Sequence, residues 1–276
     1  MDISTLAELA PWDWPEEAAD AIRAALESDD TPADDRELAA EVAGELAVMS
    51  DEMAGSLLAV LRQADLPEAL RGMAALALGP CLEECDTVGF DEPGETAISE
   101  QTFERVLATL RELYLDETQP TEVRRRALEA SVRAPQDWHP EAVRAAHGSE
   151  DPDWRLTALF SMEYIRGFEP EILAALDSDD EEQLYLAICA AGAWEVDRAW
   201  KPVRAVALDD SADPELRVAA IEALVGIRPA EAREVLADLV DDDDEEIADA
   251  AAEAMAMAES FAEFADAEDD EEDKAR

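Results

Sequence analysis

The stretch "DPELRVAAIEAL", residues 213–224, decides the fold, because close variants of it recur along the chain. They are "DPDWRLTALFSM" from 151, "PTEVRRRALEAS" from 120 and "PEALRGMAALAL" from 67. Superposed on the small residue at the centre of each, these segments and two more place Ala74, Ala127, Ala158, Ala187, Ala220 and Ala251 in register. The last four intervals are 31, 29, 33 and 31 residues. A period of that size marks stacked supersecondary units, none of which buries its apolar face alone. Within one unit Leu216, Ala220, Ala223, Leu224 and Ile227 fall on one helical face. Ala232, Val235, Leu236, Leu239 and Val240 repeat the 3.6-residue period downstream, so each unit reads as two antiparallel helices. Asp213 before Pro214, and Asp151 before Pro152, supply an N-cap followed by proline at the first helical position. Nothing alternates as a strand does. The expected fold is all-α, a right-handed α-solenoid of about six or seven antiparallel helix pairs.

The register breaks once, between Ala74 and Ala127, 53 residues apart. The surplus falls in "GPCLEECDTVGFDEPGETAISE", residues 79–100, which its Gly, Pro and acid mark as an ordered excursion or a loop. The solenoid is set at 1–265, and "DAEDDEEDKAR", 266–276, is expected to be a disordered acidic tail too polar to pack.

An Asp-Pro turn, an arginine four residues after the Asp, and then small residues and leucine are similar to the HEAT repeat. The pattern most resembles the short variety named from bilin lyases. The resemblance is clear from 118 to 256 and weaker from 6 to 78, where "RELAAEVAGELAV" fits with Ala43 in the alanine position. It implies that Arg71, Arg124, Arg155 and Arg217 form a structural ladder, bonding turn carboxylates such as Asp151 or Asp213 between neighbouring repeats. Read without the resemblance, the same row of guanidinium groups could hold an acidic peptide or a phosphate. The copy "EEQLYLAICAAG" carries Leu184 or Tyr185 in place of the arginine, which interrupts the ladder there.

The 71 acidic residues against 21 basic ones give a formal charge of -50, and such self-repulsion destabilises a compact state in dilute buffer. The basic residues are almost all arginine, with Lys201 and Lys274 as the lysines. An alanine-rich, lysine-poor, acidic chain fits a halophilic cytoplasm of molar salt, where the Debye length falls to about 3 Å. The other reading is an acidic mimic of nucleic acid that binds a basic partner, which requires the acid to cluster on one face. Charge is also patterned. Residues 118–167 hold seven arginines against eight acids, a nearly neutral island, together with Trp138, His139, His147 and Trp154. Arg125, Arg126, Arg133, Trp138, His139, Arg144 and His147 are therefore the candidate partner-binding residues. Against that, Glu122 with Arg126 and Arg125 with Glu129 are helical i,i+4 pairs, each worth about 0.3 kcal/mol when exposed.

Cys81, Cys85 and Cys189 are an odd number without framework spacing, which suggests a reducing compartment and no structural disulfide. Cys81 and Cys85, four apart, could face one zinc, but two histidines and no second close pair leave packing as the stronger reading. Trp12 and Trp14 are expected to cover the open end of the stack, and Trp154 to take the core position of Leu216. The opening "MDISTLAELAPWDWPEE" has neither a basic nor an apolar signal region, and no apolar run approaches the roughly 18 residues of a membrane span. A cytoplasmic monomer without cofactor or metal is the expectation.

Enzyme classes built on similar repeats leave marks that are missing here. Deoxyhypusine hydroxylases hold iron with His-Glu pairs, whereas His139 precedes Pro140 and His147 precedes Gly148. Alkylpurine glycosylases of this type need a basic groove for DNA, which a charge of -50 opposes. There is no phosphate-cradling Gly-rich loop and no nucleophile elbow. The expected function is a non-catalytic scaffold for protein–protein interaction, with the concave face of second helices holding a protein segment. The alternative is an accessory or lyase-like enzyme subunit.

Overall fold

The computed structural model describes residues 2–91 and 94–275, with side chains through 261. The chain divides into two compact units, Met1–Ala142 and Val143–Arg276, where the sequence reading sets one domain at 1–265.

The first unit opens with α1 (Ile3–Ala7) and a short 3-10 turn (Pro11–Asp13), and then pairs α2 (Ala18–Glu27) with α3 (Ala33–Val42). The next pair is α4 (Asp51–Arg62) and α5 (Glu68–Leu76), and the third is α7 (Glu100–Leu115) and α8 (Thr121–Ser131). Second helices α3, α5 and α8 stack on one another, as do first helices α2, α4 and α7, and one core runs from Ile3 to Ala134. The register break holds an extra helix, α6 (Gly79–Val88), followed by a turn-rich stretch to Ser99, of which residues 92–93 lie outside the described residues. Its Gly-Pro start looks like a turn signal, yet Pro80 sits in the first helical turn, where its missing N–H costs nothing. Cys81, Leu82 and Cys85 of α6 are buried, and burial pushes the two thiols up to about 12 and about 11. They are packing residues of this extra helix.

α9 (His139–His147) crosses the boundary between the units. In the second unit α10 (Pro152–Ser161) is followed by the pairs α11 (Glu169–Ala175) with α12 (Glu181–Ala193) and α13 (Trp200–Ala207) with α14 (Pro214–Ile227). The last pair is α15 (Pro229–Leu239) with α16 (Glu245–Ala275). The tail set at 266–276 lies beyond the residues whose side chains are described. α10, α12, α14 and α16 stack as second helices. Both units are thus built as α-solenoids are, from antiparallel helix pairs in series, with no strand among the described residues.

The repeat register has a direct structural meaning. Ala74, Ala127, Ala158, Ala187, Ala220 and Ala251 are all buried at the centre of second helices, where a larger side chain would hold the stack apart. Between α12 and α14 the approach is closer still. A Cβ on Gly192 would stand 2.8 Å from Ala223 Cα, and one on Gly226 would stand 2.5 Å from the Gly192 carbonyl oxygen. The starts of these helices follow the expected chemistry, since Asp151 and Asp213 accept from the backbone N–H of Asp153 and Glu215 and a proline opens each helix.

Turns between repeats need a left-handed residue. Gly167 (φ 101) supplies it after α10, but Glu195 (φ 52) takes that conformation after α12, with the Val196 N–H closing on the Ala191 carbonyl. A side chain there is strained by about 1 kcal/mol. Glu195→Gly is therefore expected to raise stability by about 0.5–1 kcal/mol, part of the relief being lost to unfolded-state entropy. Chemical denaturation in molar KCl reads this directly, and a destabilised variant would contradict it.

Candidate functional site

Most of the repeat arginines are spent on structure. Arg71 is buried, donating Nε to the Leu61 carbonyl at 2.9 Å and Nη2 to Gln119 Oε1 at 2.6 Å. Arg124 donates Nε to the Tyr114 carbonyl at 3.0 Å, and Arg217 donates Nε to the Ala207 carbonyl at 3.5 Å and Nη2 to Asp242 Oδ2 at 2.8 Å. Each reaches the carbonyl ten residues back, at the frayed C-terminal end of its own first helix, where backbone acceptors lack helical partners. Arg71 and Arg217 then extend to a side chain in the next turn, Gln119 or Asp242. Asp151 and Asp213, the carboxylates expected to receive these arginines, act as helix caps instead.

Sequence reasoning missed a member. Arg36 is buried and donates Nη2 to the Leu26 carbonyl, again ten residues back, at 2.8 Å. It stands three before Ala39, as Arg71 does before Ala74 and Arg217 before Ala220, so Ala39 and not Ala43 holds the alanine position. Arg155 departs from the others. It is exposed and donates to the Ser149 and Glu150 carbonyls of the preceding turn at 3.0 and 2.9 Å.

The neutral island is largely consumed by its own carboxylates. Arg125 meets Glu122 at 2.6 Å, while Arg126 meets Glu122 at 2.8 Å and Glu129 at 2.9 Å, all on α8. Arg133 pairs with Glu83 of α6, lying across Gly79. Trp138 donates Nε1 to Gln136 Oε1 at 2.8 Å and packs against Tyr114. His139 is fully buried, so it meets the core and not a partner. The Gln136 N–H donates to its Nδ1 at 2.9 Å, which leaves Nε2 to carry the proton toward Ser131 Oγ at 3.0 Å. Arg144 and His147 are exposed residues of the second unit, with Arg144 over the Phe168 ring. The structure thus brings Arg125 and Arg126 together in one ion-paired cluster and the Trp138 and His139 rings together at 4.0 Å, and gives Arg133, Arg144 and His147 other surroundings.

Burial, with a further contribution from the charge of Arg111, pulls His139 from 6.5 down to about 4. Above pH 6.5 the ring is neutral in both states and costs nothing. As pH falls from 6.5 towards 4 the unfolded chain takes up a proton that the folded one refuses, so stability is lost over that window, by about 3 kcal/mol in full. Denaturation of wild type and His139→Asn between pH 7.5 and 4.5 is expected to show a steeper loss for the wild type. Parallel curves would contradict the assignment.

With these positions set aside, the outward face of the second helices can be read repeat by repeat. The residues two before and two after the buried alanine share this face. They are Glu37 and Glu41 on α3, Gly72 and Leu76 on α5, and the ion-paired Arg125 and Glu129 on α8. In the second unit they are Leu156 and Phe160 on α10, Tyr185 and Cys189 on α12, Val218 and Glu222 on α14, and Asp249 and Glu253 on α16. The face changes from acid to apolar and back. Tyr185 is 40% exposed, and Cys189 and Val218 are half-buried beside it. At the first turns of α12 and α14 a cavity of about 310 Å³ is lined by Glu181, Glu182, Tyr185, Asp213, Glu215 and Leu216.

A larger cavity, about 670 Å³, lies at the turns after α10 and α12. Arg166 stacks on Trp194 there at 4.6 Å, Trp194 donates to the Met162 carbonyl at 2.6 Å, and Asp197 is held by Arg228 at 2.7 Å. Its apolar floor, Phe168, Ile172 and Val196, is buried beneath these contacts. Trp14 packs against the first unit's core and donates to the Leu6 and Leu9 carbonyls, whereas Trp12, expected to cap the stack with it, is 84% exposed. Trp154 is half-buried where Leu216 is buried. No helix among the described residues is long and apolar enough to cross a membrane.

Among solved structures, similar chains include human deoxyhypusine hydroxylase in complex with glycerol, at 17% identity and a TM-score of 0.41, covering 94% of this chain and 96% of that one. The Escherichia coli protein YibA is similar at 16% identity and a TM-score of 0.45, over 86% of this chain and 85% of its own. Kap121p is similar at 12% identity and a TM-score of 0.42, with 93% of this chain covering 31% of that protein. No curated protein matches the sequence. The model of the HEAT repeats family matches residues 169–256, from the start of α11 into α16, so this part of the chain is similar to HEAT repeats.

Proposed function

We propose that this protein is a non-catalytic HEAT-repeat scaffold, holding a segment of a protein partner on the outward face of α12 and α14 in a salt-adapted cytoplasm. The observation that carries the reading is the apolar interval on that face, where Tyr185, Cys189 and Val218 stand at positions taken by acid on α3 and α16. In a chain coated with carboxylates, an exposed tyrosine with half-buried apolar neighbours marks a surface for association. The island around Arg125, Arg126 and Arg133 is a weaker candidate, because its charges already meet Glu122, Glu129 and Glu83.

Salt adaptation accounts for the acid better than mimicry of nucleic acid does. Exposed carboxylates stand on first helices, such as Asp20 on α2 and Glu234 and Asp238 on α15, and equally on second helices, such as Glu41, Glu222 and Glu253. A mimic would gather them on one side. Affinity purification from the source cytoplasm at molar salt, with wild type and Tyr185→Glu/Val218→Glu side by side, tests the reading. A partner retained by the wild type and lost by the variant is the expected result. Equal recovery by both, or none by either, would contradict it.

A further inference from the structure

The cavity between the first turns of α12 and α14 has a floor and a rim of different chemistry. Its floor is the Tyr185 ring and Leu216, and its rim is Glu181, Glu182, Asp213 and Glu215. One oxygen of Asp213 is occupied in capping α14, but Glu181, Glu182 and Glu215 have no ion pair among the described residues. α12 carries no basic residue, and the single one on α14, Arg217, is turned inward onto the Ala207 carbonyl and Asp242. Among the described residues no cation lines this rim. The Cys189 thiol, one turn beyond Tyr185, is pushed up to about 11, by burial first and then by Glu163, with Glu222 adding to it.

Salt decides what can bind there. At molar ionic strength the Debye length is about 3 Å, so these carboxylates attract only what touches them. An occupant must therefore bring its cation into contact and gain most of its affinity from apolar surface. A guanidinium meets both demands, being planar, weakly hydrated, able to lie on an aromatic ring, and able to bond carboxylates through its edges. Lysine, a compact and strongly hydrated charge, fits the ring less well. The open face then continues over Cys189 and Val218, where an apolar neighbour of that arginine would lie.

We infer that this cavity receives an arginine side chain from a segment of a partner protein, its guanidinium on the Tyr185 ring between Glu182 and Glu215 and its apolar neighbour on Val218. The inference rests on the scaffold reading above and adds to it the chemistry of the partner. It names an arginine-and-leucine segment as the occupant, in contrast to the acidic ligand that a row of exposed arginines would take.

Fluorescence anisotropy in molar KCl tests it with a labelled peptide alternating arginine and leucine, and with a second peptide carrying glutamate for arginine. The arginine peptide is expected to bind and the glutamate peptide not to. Tyr185→Ala should weaken binding at least tenfold, Glu182→Gln/Glu215→Gln about fivefold, and Tyr185→Phe less than twofold, since the ring remains. Glu37→Gln/Glu41→Gln on α3 removes the same number of charges elsewhere and should leave the affinity unchanged. Because Cys81 and Cys85 are buried, maleimide labelling reads Cys189, and bound peptide should slow it. Circular dichroism confirms that each variant is helical. Equal weakening by the α3 variant, binding of the glutamate peptide, or no binding of the arginine peptide would each overturn the inference. If a partner is nevertheless lost by Tyr185→Glu/Val218→Glu in the purification above, the scaffold reading survives with a different occupant; if that also fails, both fall.

Discussion

Transferred from molar KCl to about 0.1 M, the protein is expected to lose roughly 10–20 °C of melting temperature, and much of its helicity at room temperature. The cause is the formal charge of -50. Carboxylates three or four residues apart on a helix lie about 5–6 Å from one another, well inside the Debye length of about 10 Å at 0.1 M and outside the roughly 3 Å at 1 M. The run Asp241 to Glu246 and the pairs on the faces of α3 and α16 therefore repel through dilute buffer and are screened in brine. Ion pairs that salt weakens are few by comparison, and some, such as Arg198 with Glu169 and Arg233 with Glu259, are exposed pairs of small worth. Calorimetry over a KCl series, with sucrose as an uncharged control, measures the effect. A melting temperature that does not move with salt would contradict salt adaptation.

Arg71→Ala is expected to destabilise the fold by about 3–4 kcal/mol, against less than about 1 kcal/mol for Arg155→Ala. The two occupy the same point of the repeat, but Arg71 is buried with its guanidinium spanning the Leu61 carbonyl and Gln119, whereas Arg155 is exposed on a turn. Removing Arg71 leaves a buried carbonyl without a partner, leaves a cavity, and unties α4 from the turn that leads into α8. Burial has already pulled the Arg71 guanidinium below its ordinary range, which marks how far it stands from water. Arg71→Lys should recover little, because an ammonium cannot serve both acceptors from one plane. Denaturation of the three variants in molar KCl checks the order, and equal losses at Arg71 and Arg155 would contradict the ladder's structural role.

Much of the fold was legible because stacking imposes a small residue at one point of every repeat. Ala74 to Ala251 fall into register in the sequence, and the Asp-Pro starts at 151 and 213 mark helix beginnings. The first repeat was harder, since Ala39, Ala40 and Ala43 all suit a buried position. Only the reach of Arg36 to the carbonyl of Leu26 selects Ala39. An arginine three before an alanine was the available signal. α6 escaped notice because Gly-Pro reads as a break, although it also suits the first turn of a helix.

The candidate site was less legible, for a physical reason. Residue type shows whether a side chain can bind, but burial and pairing decide whether it is available. His139 looked like part of a surface patch, and Ser131 and Gln136 hold it in the core. Arg125 and Arg126 looked like free charge, and Glu122 and Glu129 take it. Tyr185 was noticed in the sequence only as a departure from the arginine pattern. Its meaning depends on the cavity beside it, which forms only where the fold brings the first turns of α12 and α14 together.

The central claim is that a partner lies across α12 and α14, and site-specific photo-crosslinking in molar salt tests it most directly. A benzophenone-bearing residue is placed in turn at Val218, at Glu222 and at Glu37, and crosslinks are sought in lysate of the source cells. The account predicts one crosslinked partner from positions 218 and 222 and none from 37. Crosslinks of equal yield from all three positions, or from 37 alone, would contradict it.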